Sequence, residues 1–420
     1  MKYVTATGQI VELATRSMGR GGEGEVLPVA GAPDRVAKIF HHPSAEHRAK
    51  IEFMLANPPP RANGHFWVTW PGAILFTNGP WPNFAGYVMP KLTKAQPLFT
   101  CYNPAIRRQK HPVFDYRHLV RCARNLAAAF SLAHAHRFVI GDSNESNVFV
   151  SDDARVILID SDSWQIIDDV HRRTYRSMVG KCDFLPPELQ NRSLKNLDRK
   201  PWHDNFALAV LLFKLTGEGN HPFDGVYHGA GDVPTLEARI AAGAFPYRDR
   251  SGRWSPKGLA LPFDSLHPRL QKLFVQAFET GHTRPQLRPD ACEWQKAFTL
   301  AETELQCCHR NPRHCFWGNQ CIWCQRKQLL GGQDPFPGGK PKASRRVAKA
   351  THTAATTVPF NRRLPKSLVA PSSPKPPDSD ISEFEKFLII IFAVMVIITL
   401  VSLGLLLLVT ALRLVAQMFN

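Results

Sequence analysis

The chain has 420 residues, of which 44% are hydrophobic, so a mostly disordered protein is excluded and there is room for more than one domain. The net charge of +17 suits acidic partners, phosphate groups or an anionic membrane surface without choosing among them. Nine cysteines are too few for a disulfide scaffold, and the five between residues 307 and 324 favour a metal site. The amino-terminal segment MKYVTATGQI has no apolar signal core, so a secretion leader is not expected.

A glycine-rich segment near the amino terminus is the first motif that indicates chemistry. In GRGGEGEV, the spacing G-x-G-x-x-G-x-V is met by Gly19, Gly21, Gly24 and Val26. Glycines at this spacing let backbone N–H groups close over phosphates, because no Cβ atom interferes. Two short apolar runs follow and predict a hairpin rather than the helix of a dinucleotide-binding fold. Lys38, in the second strand, is predicted to contact the α- and β-phosphates of a nucleotide.

Two later segments, FVIGDSNESNVFV and VILIDSDSWQI, predict apolar strands with polar ends. Asp142 and Asn147 have the spacing D-x-x-x-x-N, and Asp160 ends the run VILID. Phosphoryl transfer needs an aspartate that accepts a hydroxyl proton, and an asparagine and a second aspartate that bind Mg²⁺, because its catalysis is mainly positioning and charge neutralisation. Turn capping is the alternative for each residue alone, but the order of the motifs favours one shared site.

Three downstream segments are predicted to have structural roles. FLPPEL contains Pro187 and Glu188, and DNFALAVLLFKLTGEGNHPFDG predicts a buried helix that is opened by Asp204 and closed by a glycine-rich turn. Arg288, in RPDACEW, is predicted to form an ion pair with Glu188.

Taken in this order, the motifs resemble the protein kinase fold over roughly residues 10–300, about 70% of the chain. More narrowly, they resemble bacterial eukaryotic-like Ser/Thr kinases whose metal motif is D-x-D-S-[FW]. The resemblance implies an α+β, two-lobed fold with the active cleft between a β-rich lobe and a helical lobe. It implies ATP and Mg²⁺ or Mn²⁺ as cofactors, with Asp142 orienting the substrate hydroxyl and Asn147 and Asp160 binding the metal.

The resemblance also assigns roles to a predicted helix, SAEHRAKIEFMLANPP, and to the segment GYVMPKL. A carboxylate of the helix is expected to pair with Lys38. Glu52, 14 residues after Lys38, suits the usual geometry, and Glu46 in the first turn stays open as the alternative. Met89 is expected, from its order along the chain, at the hinge that carries the adenine.

The chain departs from the usual kinase motifs at two places. I-G-D at residues 140–142 replaces H-R-D, so the arginine that contacts a phosphorylated activation loop is missing and activation by loop phosphorylation is not expected. D-S-D at residues 160–162 replaces D-F-G, so the phenylalanine of the regulatory spine is lost. The extra carboxylate, Asp162, is interpreted either as a further Mg²⁺ or Mn²⁺ ligand or as a capping residue.

Cysteine and histidine residues are clustered in the segment CCHRNPRHCFWGNQCIWC. Cys321 and Cys324 form a C-x-x-C knuckle, and Cys308 and His314 complete a Cys₃His set suited to a structural, tetrahedral Zn²⁺. The bacterial kinases named above carry a similar element after the kinase domain, which supports zinc. A redox pair is the alternative, although its usual βαβ context is absent. No base-reading pattern accompanies the aromatic and basic residues here, so nucleic acid is not expected as a partner. Three further residues stay open as rival upstream ligands: Cys307, His309 and Cys315.

The carboxyl-terminal part of the chain is predicted to be a membrane anchor. Residues 331–385 contain nine prolines and no sustained apolar period, which predicts a flexible linker. Phe387 to Leu412 are 26 residues without a charge; as a helix they would span ~39 Å, against a hydrocarbon core of ~30 Å. A single-pass protein with a cytoplasmic kinase domain is therefore expected. The predicted divisions are a kinase-like domain at 1–300, a zinc knuckle at 301–330, the linker at 331–385, the membrane helix at 386–412 and a tail at 413–420.

Two functional hypotheses follow from these motifs. The first is a membrane-tethered, ATP-dependent Ser/Thr protein kinase acting on protein substrates, because the four polar catalytic positions are all present. The second is a pseudokinase scaffold that binds nucleotide and recruits partners through its zinc element, because the I-G-D and D-S-D motifs are altered.

Overall fold

The computed structural model describes residues 1–61 and 65–338. Within these two ranges, no helix is both long and apolar enough to cross a bilayer. The predicted membrane helix at 386–412, the tail at 413–420 and the linker from residue 339 onward lie outside the described residues.

The amino-terminal lobe is a seven-stranded sheet with the order β2-β1-β6-β7-β5-β4-β3, in which all neighbours are antiparallel. Helix α1 (Ala45–Ala56) packs against the sheet, and its first turn is capped by the Ser44 side chain, which accepts a hydrogen bond from His47 N. The alternation of apolar residues along the strands buries one side of the sheet under α1. The strands are β1 (Lys2–Thr5), β2 (Ile10–Glu12), β3 (Gly19–Arg20), β4 (Gly24–Pro28), β5 (Arg35–Phe40), β6 (Ala73–Thr77) and β7 (Phe84–Pro90).

The second lobe is mainly helical, and its centre is α5, which is buried at 13 of its 16 residues. The prediction of a buried helix here is confirmed, but the helix begins at Pro201 rather than at Asp204. Proline suits this first position because its missing N–H would have no partner within the helix. The helices are α2 (Phe99–Tyr102), α3 (Pro104–Lys110), α4 (Tyr116–Ala135), α5 (Pro201–Thr216), α6 (Leu236–Ala242), α7 (Pro268–Val275), α8 (Gly281–Thr283), α9 (Ala291–Thr303) and α10 (Ile322–Leu329), with a π-helical turn at Gln276–Thr280.

A short three-stranded sheet contains the strands that carry the predicted polar ends. The order β10-β9-β8 places the strand before Asp160 beside the strand after Asn147, so the polar ends of the two predicted strands lie next to each other. The remaining strands are β8 (Ala95–Pro97), β9 (Val148–Ser151), β10 (Val156–Leu158), β11 (Ile166–Asp168), β12 (Arg173–Tyr175), β13 (Val226–Tyr227), β14 (Trp254–Ser255), β15 (Gln306–Cys308) and β16 (Asn311–Phe316).

The Cys/His segment packs directly on the helical lobe. The Trp317 indole donates to Ala301 O at 2.7 Å, and Trp323 packs 4.6 Å, centroid to centroid, from Tyr116 at the start of α4. Phe336 is 1% exposed and belongs to the same core. The packed part of the chain therefore extends to Pro335 and Phe336, which the sequence assigned to the linker.

Candidate active site

The predicted phosphate loop is the β3–β4 hairpin of the first lobe. Gly21 N donates to Gly24 O at 2.9 Å and closes the turn. A Cβ atom on Gly24 would lie 2.4 Å from Ile39 O, so glycine is required there by the close approach of β5. A Cβ atom on Gly19 would meet no described atom within 4 Å, and one on Gly21 would meet only Gly24 O at 3.9 Å. Packing within the lobe therefore explains why glycine is needed at position 24, but not at positions 19 and 21. Val26 lies opposite Lys38 in the register of β4 and β5.

Lys38 lies at the centre of a buried charged cluster. Its Nζ donates to Asp160 Oδ1 at 2.6 Å and to Asp162 Oδ2 at 2.7 Å, while Glu23 Oε2 of the glycine loop is 3.8 Å away. Tyr87, opposite Lys38 in the register of β5 and β7, donates its hydroxyl hydrogen to Asp162 Oδ1 at 2.7 Å. The sequence analysis missed Tyr87, because an aromatic residue in a strand is ordinarily core.

The charges in this cluster shift one another's ionisation. Burial alone lowers the pKa of Lys38, but Asp162 and Asp160 outweigh burial and hold that pKa above its ordinary value. Burial and the neighbouring Asp162 raise the pKa of Asp160 to about 6. Burial also opposes ionisation of Asp162, yet contacts with Lys38 and Tyr87 lower its pKa. The backbone at Asp160 is left-handed, with φ +60°, a conformation that non-glycine residues adopt mainly where function or packing requires it.

The expected pair between Lys38 and a carboxylate of α1 is not formed, and this prediction is corrected. Glu52 instead pairs with Arg48 at 2.8 Å on the solvent side of the helix, and the nearest basic group to Glu46 is Arg173, at 4.0 Å. The cause is the helix phase, because the buried stripe of α1 consists of Lys50, Ile51 and Met54.

Lys50 occupies the buried face of α1 that was expected to present a carboxylate. Its Nζ donates to Trp164 O at 2.6 Å, and burial lowers the pKa of Lys50 to about 8. The sequence shows a lysine in a helix, which is ordinarily solvated, so the partner 114 residues later gave no local signal.

The predicted catalytic loop brings Asp142 and Asn147 together. Asn147 Nδ2 donates to Asp142 Oδ2 at 2.9 Å and to Asp142 O at 3.0 Å. Asp142 Oδ1 is buried and has no hydrogen-bond partner among the described residues. Ile159 N donates to Asn147 O at 3.0 Å, so this pair lies directly beside Asp160 and hence beside Lys38.

Asp204 of α5 fixes the backbone of the catalytic loop. Its carboxylate accepts from Ile140 N at 2.7 Å and from Gly141 N at 2.9 Å, and His134 Nε2 lies 3.1 Å away. Hydrogen bonds from backbone N–H groups to a buried carboxylate are charge-assisted and strong. The sequence analysis treated Asp204 only as a helix opener, although a carboxylate among so many apolar residues was the available signal.

Arg199 connects the catalytic loop to the segment after D-S-D. It donates from Nη1 to Gly141 O at 3.1 Å and from Nη2 to Val179 O at 2.8 Å. Gly141 has φ +74°, and a Cβ atom there would lie 2.2 Å from Ser177 Oγ. Gly141, which stands where the usual kinase motif has arginine, thus leaves room for the segment around Ser177 to pack directly on the loop that contains Asp142.

The ion pair predicted between Arg288 and Glu188 is confirmed. Both Arg288 Nη atoms donate to the Glu188 carboxylate at 2.7 Å, a bidentate geometry that adds directionality to the charge attraction. Met89 lies in β7, opposite Val36 of β5, and the chain leaves the first lobe just after it. This position agrees with a hinge, and contact with adenine stays a prediction.

Four predicted zinc ligands converge after α9. The ligand atoms of Cys308, His314, Cys321 and Cys324 lie within 4.8 Å of one another. Cys308 Sγ is 3.7 Å from Cys324 Sγ, and His314 Nδ1 is 3.7 Å from Cys321 Sγ and 3.6 Å from Cys324 Sγ. Ligands of a tetrahedral Zn²⁺, with bonds of about 2.0–2.3 Å, lie roughly 3.5–3.8 Å apart. The donor set therefore fits zinc.

The rival upstream ligands lie elsewhere. Cys315 Sγ is 3.8 Å from Asp115 Oδ2, and Cys307 Sγ is 3.9 Å from Arg117 Nη2. His309 is exposed and does not belong to the described cluster. Asp334 was missed, because it falls in the predicted linker; it accepts from His314 Nε2 at 2.8 Å. This contact keeps the proton on Nε2 and leaves Nδ1 free to bind metal.

Comparison with known proteins identifies relatives of the chain. Protein kinase YegI of Escherichia coli O157:H7 is 36% identical over 327 residues, which cover 76% of this chain and 49% of that protein. Protein kinase YegI of Escherichia coli strain K12 is 34% identical over 331 residues, 77% of this chain and 50% of that protein. The chain is related to these protein kinases. It spans about half the length of the curated relatives it matches.

No protein-family profile matches the chain. Among solved structures, one described as the ROP18 kinase domain in complex with AMP-PNP and sucrose has a TM-score of 0.48 and 14% identity, covering 72% of this chain and 83% of that one. The relation to the YegI kinases and the β-rich and helical lobes described above confirm the prediction of an α+β, kinase-like fold. The chemical roles of the site residues stay predictions.

Proposed function

We propose that the chain is an ATP- and Mg²⁺-dependent protein kinase that transfers the γ-phosphate to Ser or Thr hydroxyl groups of proteins. The observation that carries this proposal is the position of Asp142. Asn147 holds one of its carboxylate oxygens at 2.9 Å, while the other is buried and has no described partner. A buried acceptor of this kind suits a group that orients a substrate hydroxyl and takes its proton.

The neighbouring residues suit the remaining tasks of phosphoryl transfer. Asn147 uses its amide nitrogen to contact Asp142, which leaves the amide oxygen available as a metal ligand. The Asp160 side chain is 31% exposed. Oxygen donors of this kind are those that Mg²⁺ prefers, so these two residues would hold the ion. The ion supplies charge neutralisation at the phosphates. Lys38 binds the α- and β-phosphates, and the hairpin of Gly19 and Gly21 covers them.

The pseudokinase scaffold is the second candidate, and one contact favours it. Lys38 pairs with Asp160 at 2.6 Å, so the phosphate-binding cation and the metal-binding acid neutralise each other. Nucleotide must separate this pair before transfer occurs. A scaffold that keeps the pair closed would bind nucleotide without turnover.

The experiment is a transfer assay with the purified full chain, γ-labelled ATP, Mg²⁺ or Mn²⁺ and protein substrates. We expect labelled phosphoserine or phosphothreonine, and its loss in the matched variant Asp142→Asn, which preserves side-chain size. Equal label with both proteins would refute the proposal. Thermal stabilisation by ATP without any label transfer would support the scaffold instead.

We further propose that the Cys₃His cluster binds structural zinc and that residues 386–412 anchor the protein in a membrane, with the kinase domain on the cytoplasmic side. The short spacing of the four ligand atoms supports the first point, and the uncharged run supports the second. The zinc content of the purified chain and of the variant Cys321→Ser, measured by elemental analysis, tests the first point. Membrane fractionation with and without residues 386–420 tests the anchor, and equal recovery in the membrane fraction would reject it.

A further inference from the structure

Asp162, the extra carboxylate of the D-S-D motif, has both side-chain oxygens engaged. Oδ2 accepts from Lys38 Nζ at 2.7 Å, and Oδ1 accepts from the Tyr87 hydroxyl at 2.7 Å. Its side chain is 3% exposed, against 31% for that of Asp160. A metal ion at Asp162 would therefore compete with Lys38 or Tyr87 for an oxygen that already accepts a hydrogen bond. Asp160 carries no such restriction on its second oxygen.

Helix α1 is not arranged to supply a partner for Lys38. Its buried face presents Lys50, whose Nζ is tied to Trp164 O at 2.6 Å. Glu52 points to solvent and pairs with Arg48, and the Glu46 side chain is 58% exposed. A rotation of α1 that brought Glu52 inward would carry the buried Lys50 outward and break its contact.

We propose that Asp162 is the positioning residue that holds Lys38 toward the nucleotide phosphates, in place of a carboxylate from α1, an inference that rests on the proposed kinase function. Tyr87 fixes the Asp162 carboxylate from the neighbouring strand. If Asp160 were to hold the metal ion, Lys38 would still have Asp162 as its partner. The orientation of Lys38 is therefore built into the D-S-D motif and does not depend on movement of α1.

The experiment compares the purified chain with four single variants: Asp162→Asn, Tyr87→Phe, Glu46→Gln and Glu52→Gln. The ATP dissociation constant is measured by displacement of a fluorescent ATP analogue, with and without Mg²⁺, and circular dichroism reports folding. The transfer assay then gives kcat and KM for ATP and the Mg²⁺ concentration for half-maximal rate.

We expect Asp162→Asn to weaken ATP binding about tenfold, with and without Mg²⁺, because a charged partner of Lys38 is lost. Tyr87→Phe should weaken it by a smaller factor, because Asp162 loses only its second contact. In both variants KM should rise more than kcat falls, and the Mg²⁺ requirement should stay unchanged. Glu46→Gln and Glu52→Gln should bind ATP as the unmodified chain does.

Three results would overturn the inference. If Asp162→Asn raises the Mg²⁺ requirement and leaves metal-free ATP binding unchanged, Asp162 is a metal ligand. If Glu46→Gln or Glu52→Gln weakens binding as much as Asp162→Asn, α1 supplies the partner. If Asp162→Asn does not fold, unchanged ATP binding by Tyr87→Phe rejects the arrangement. Absence of ATP binding by the unmodified chain is a separate result, because it refutes the proposed function itself.

Discussion

Two buried histidines make the free energy of unfolding depend on pH. His221 Nε2 donates to Asp183 O at 3.0 Å, and its Nδ1 accepts from Phe223 N at 3.2 Å. His203 Nδ1 accepts from Lys200 N at 3.1 Å. Burial lowers the pKa of each histidine to about 4. Protonation at Nδ1 would place a hydrogen where each ring accepts one, so the folded protein favours the neutral rings.

The sign and size of the effect follow from these values. The unfolded histidine, with an ordinary pKa of about 6.5, binds more protons than the folded one between about pH 6.5 and pH 4. Stability is therefore lost as the pH falls through that window. For a single histidine with a folded pKa of about 4, the loss from pH 7 to pH 5 is about 2 kcal/mol.

The assay is urea unfolding of the purified chain, followed by tryptophan fluorescence at pH 7 and at pH 5. His221→Asn keeps an acceptor near Phe223 N, so we expect lower stability at pH 7 and a pH-dependent loss that is smaller by about 2 kcal/mol than in the unmodified chain. The same substitution at exposed His42 serves as the control and should leave the pH dependence intact. An identical loss in all three proteins would refute the reasoning.

Three further predictions concern the loops and the metal cluster. Gly24→Ala should destabilise the chain by a few kcal/mol, because its Cβ would lie 2.4 Å from a backbone oxygen. Gly21→Ala, in contrast, should leave the melting temperature unchanged and weaken ATP binding. Equal melting temperatures of the two variants would contradict this prediction. Arg199→Ala should lower kcat and speed proteolysis after Ser177, because two hydrogen bonds between the loops are lost. Unaltered proteolysis would show that Arg199 does not hold the two loops together. Asp334→Asn should weaken zinc binding about tenfold or more in a chelator competition, because His314 loses its orienting acceptor; an unchanged zinc affinity would show that this contact does not matter.

That the candidate residues of each motif lie close together could be predicted from the sequence, because their order and spacing are local signals. Asp142 and Asn147 are five residues apart in one loop, and Asp160 ends an apolar run. Cys321 and Cys324 similarly stand in one short knuckle. Because the residues of each motif are only a few positions apart, the backbone keeps them close, and the sequence alone indicates which side chains are neighbours.

The partners of these residues could not be predicted, because they come from distant parts of the chain. The phase of α1 is set by packing against the sheet, and its sequence AEHRAKIEFMLA has no clear apolar face that would have placed Lys50 inside. Asp334 and Phe336 stand among Gly and Pro residues that locally indicate a linker. The contacts of this segment come from Arg107, 228 residues earlier than Pro335, which donates to Pro335 O at 3.1 Å and lies over the Phe336 ring.

The packing of Trp323 against Tyr116 joins the Cys₃His cluster to the first turn of α4. Cys324 follows Trp323 directly, so an ion bound by the cluster would restrain the residue that packs on the helical lobe. Metal loading and lobe unfolding are then linked equilibria, since whatever binds the folded form alone lowers its free energy. If zinc fills the cluster as proposed, a fall in available zinc would lower the stability of the helical lobe, without any ligand entering the cleft.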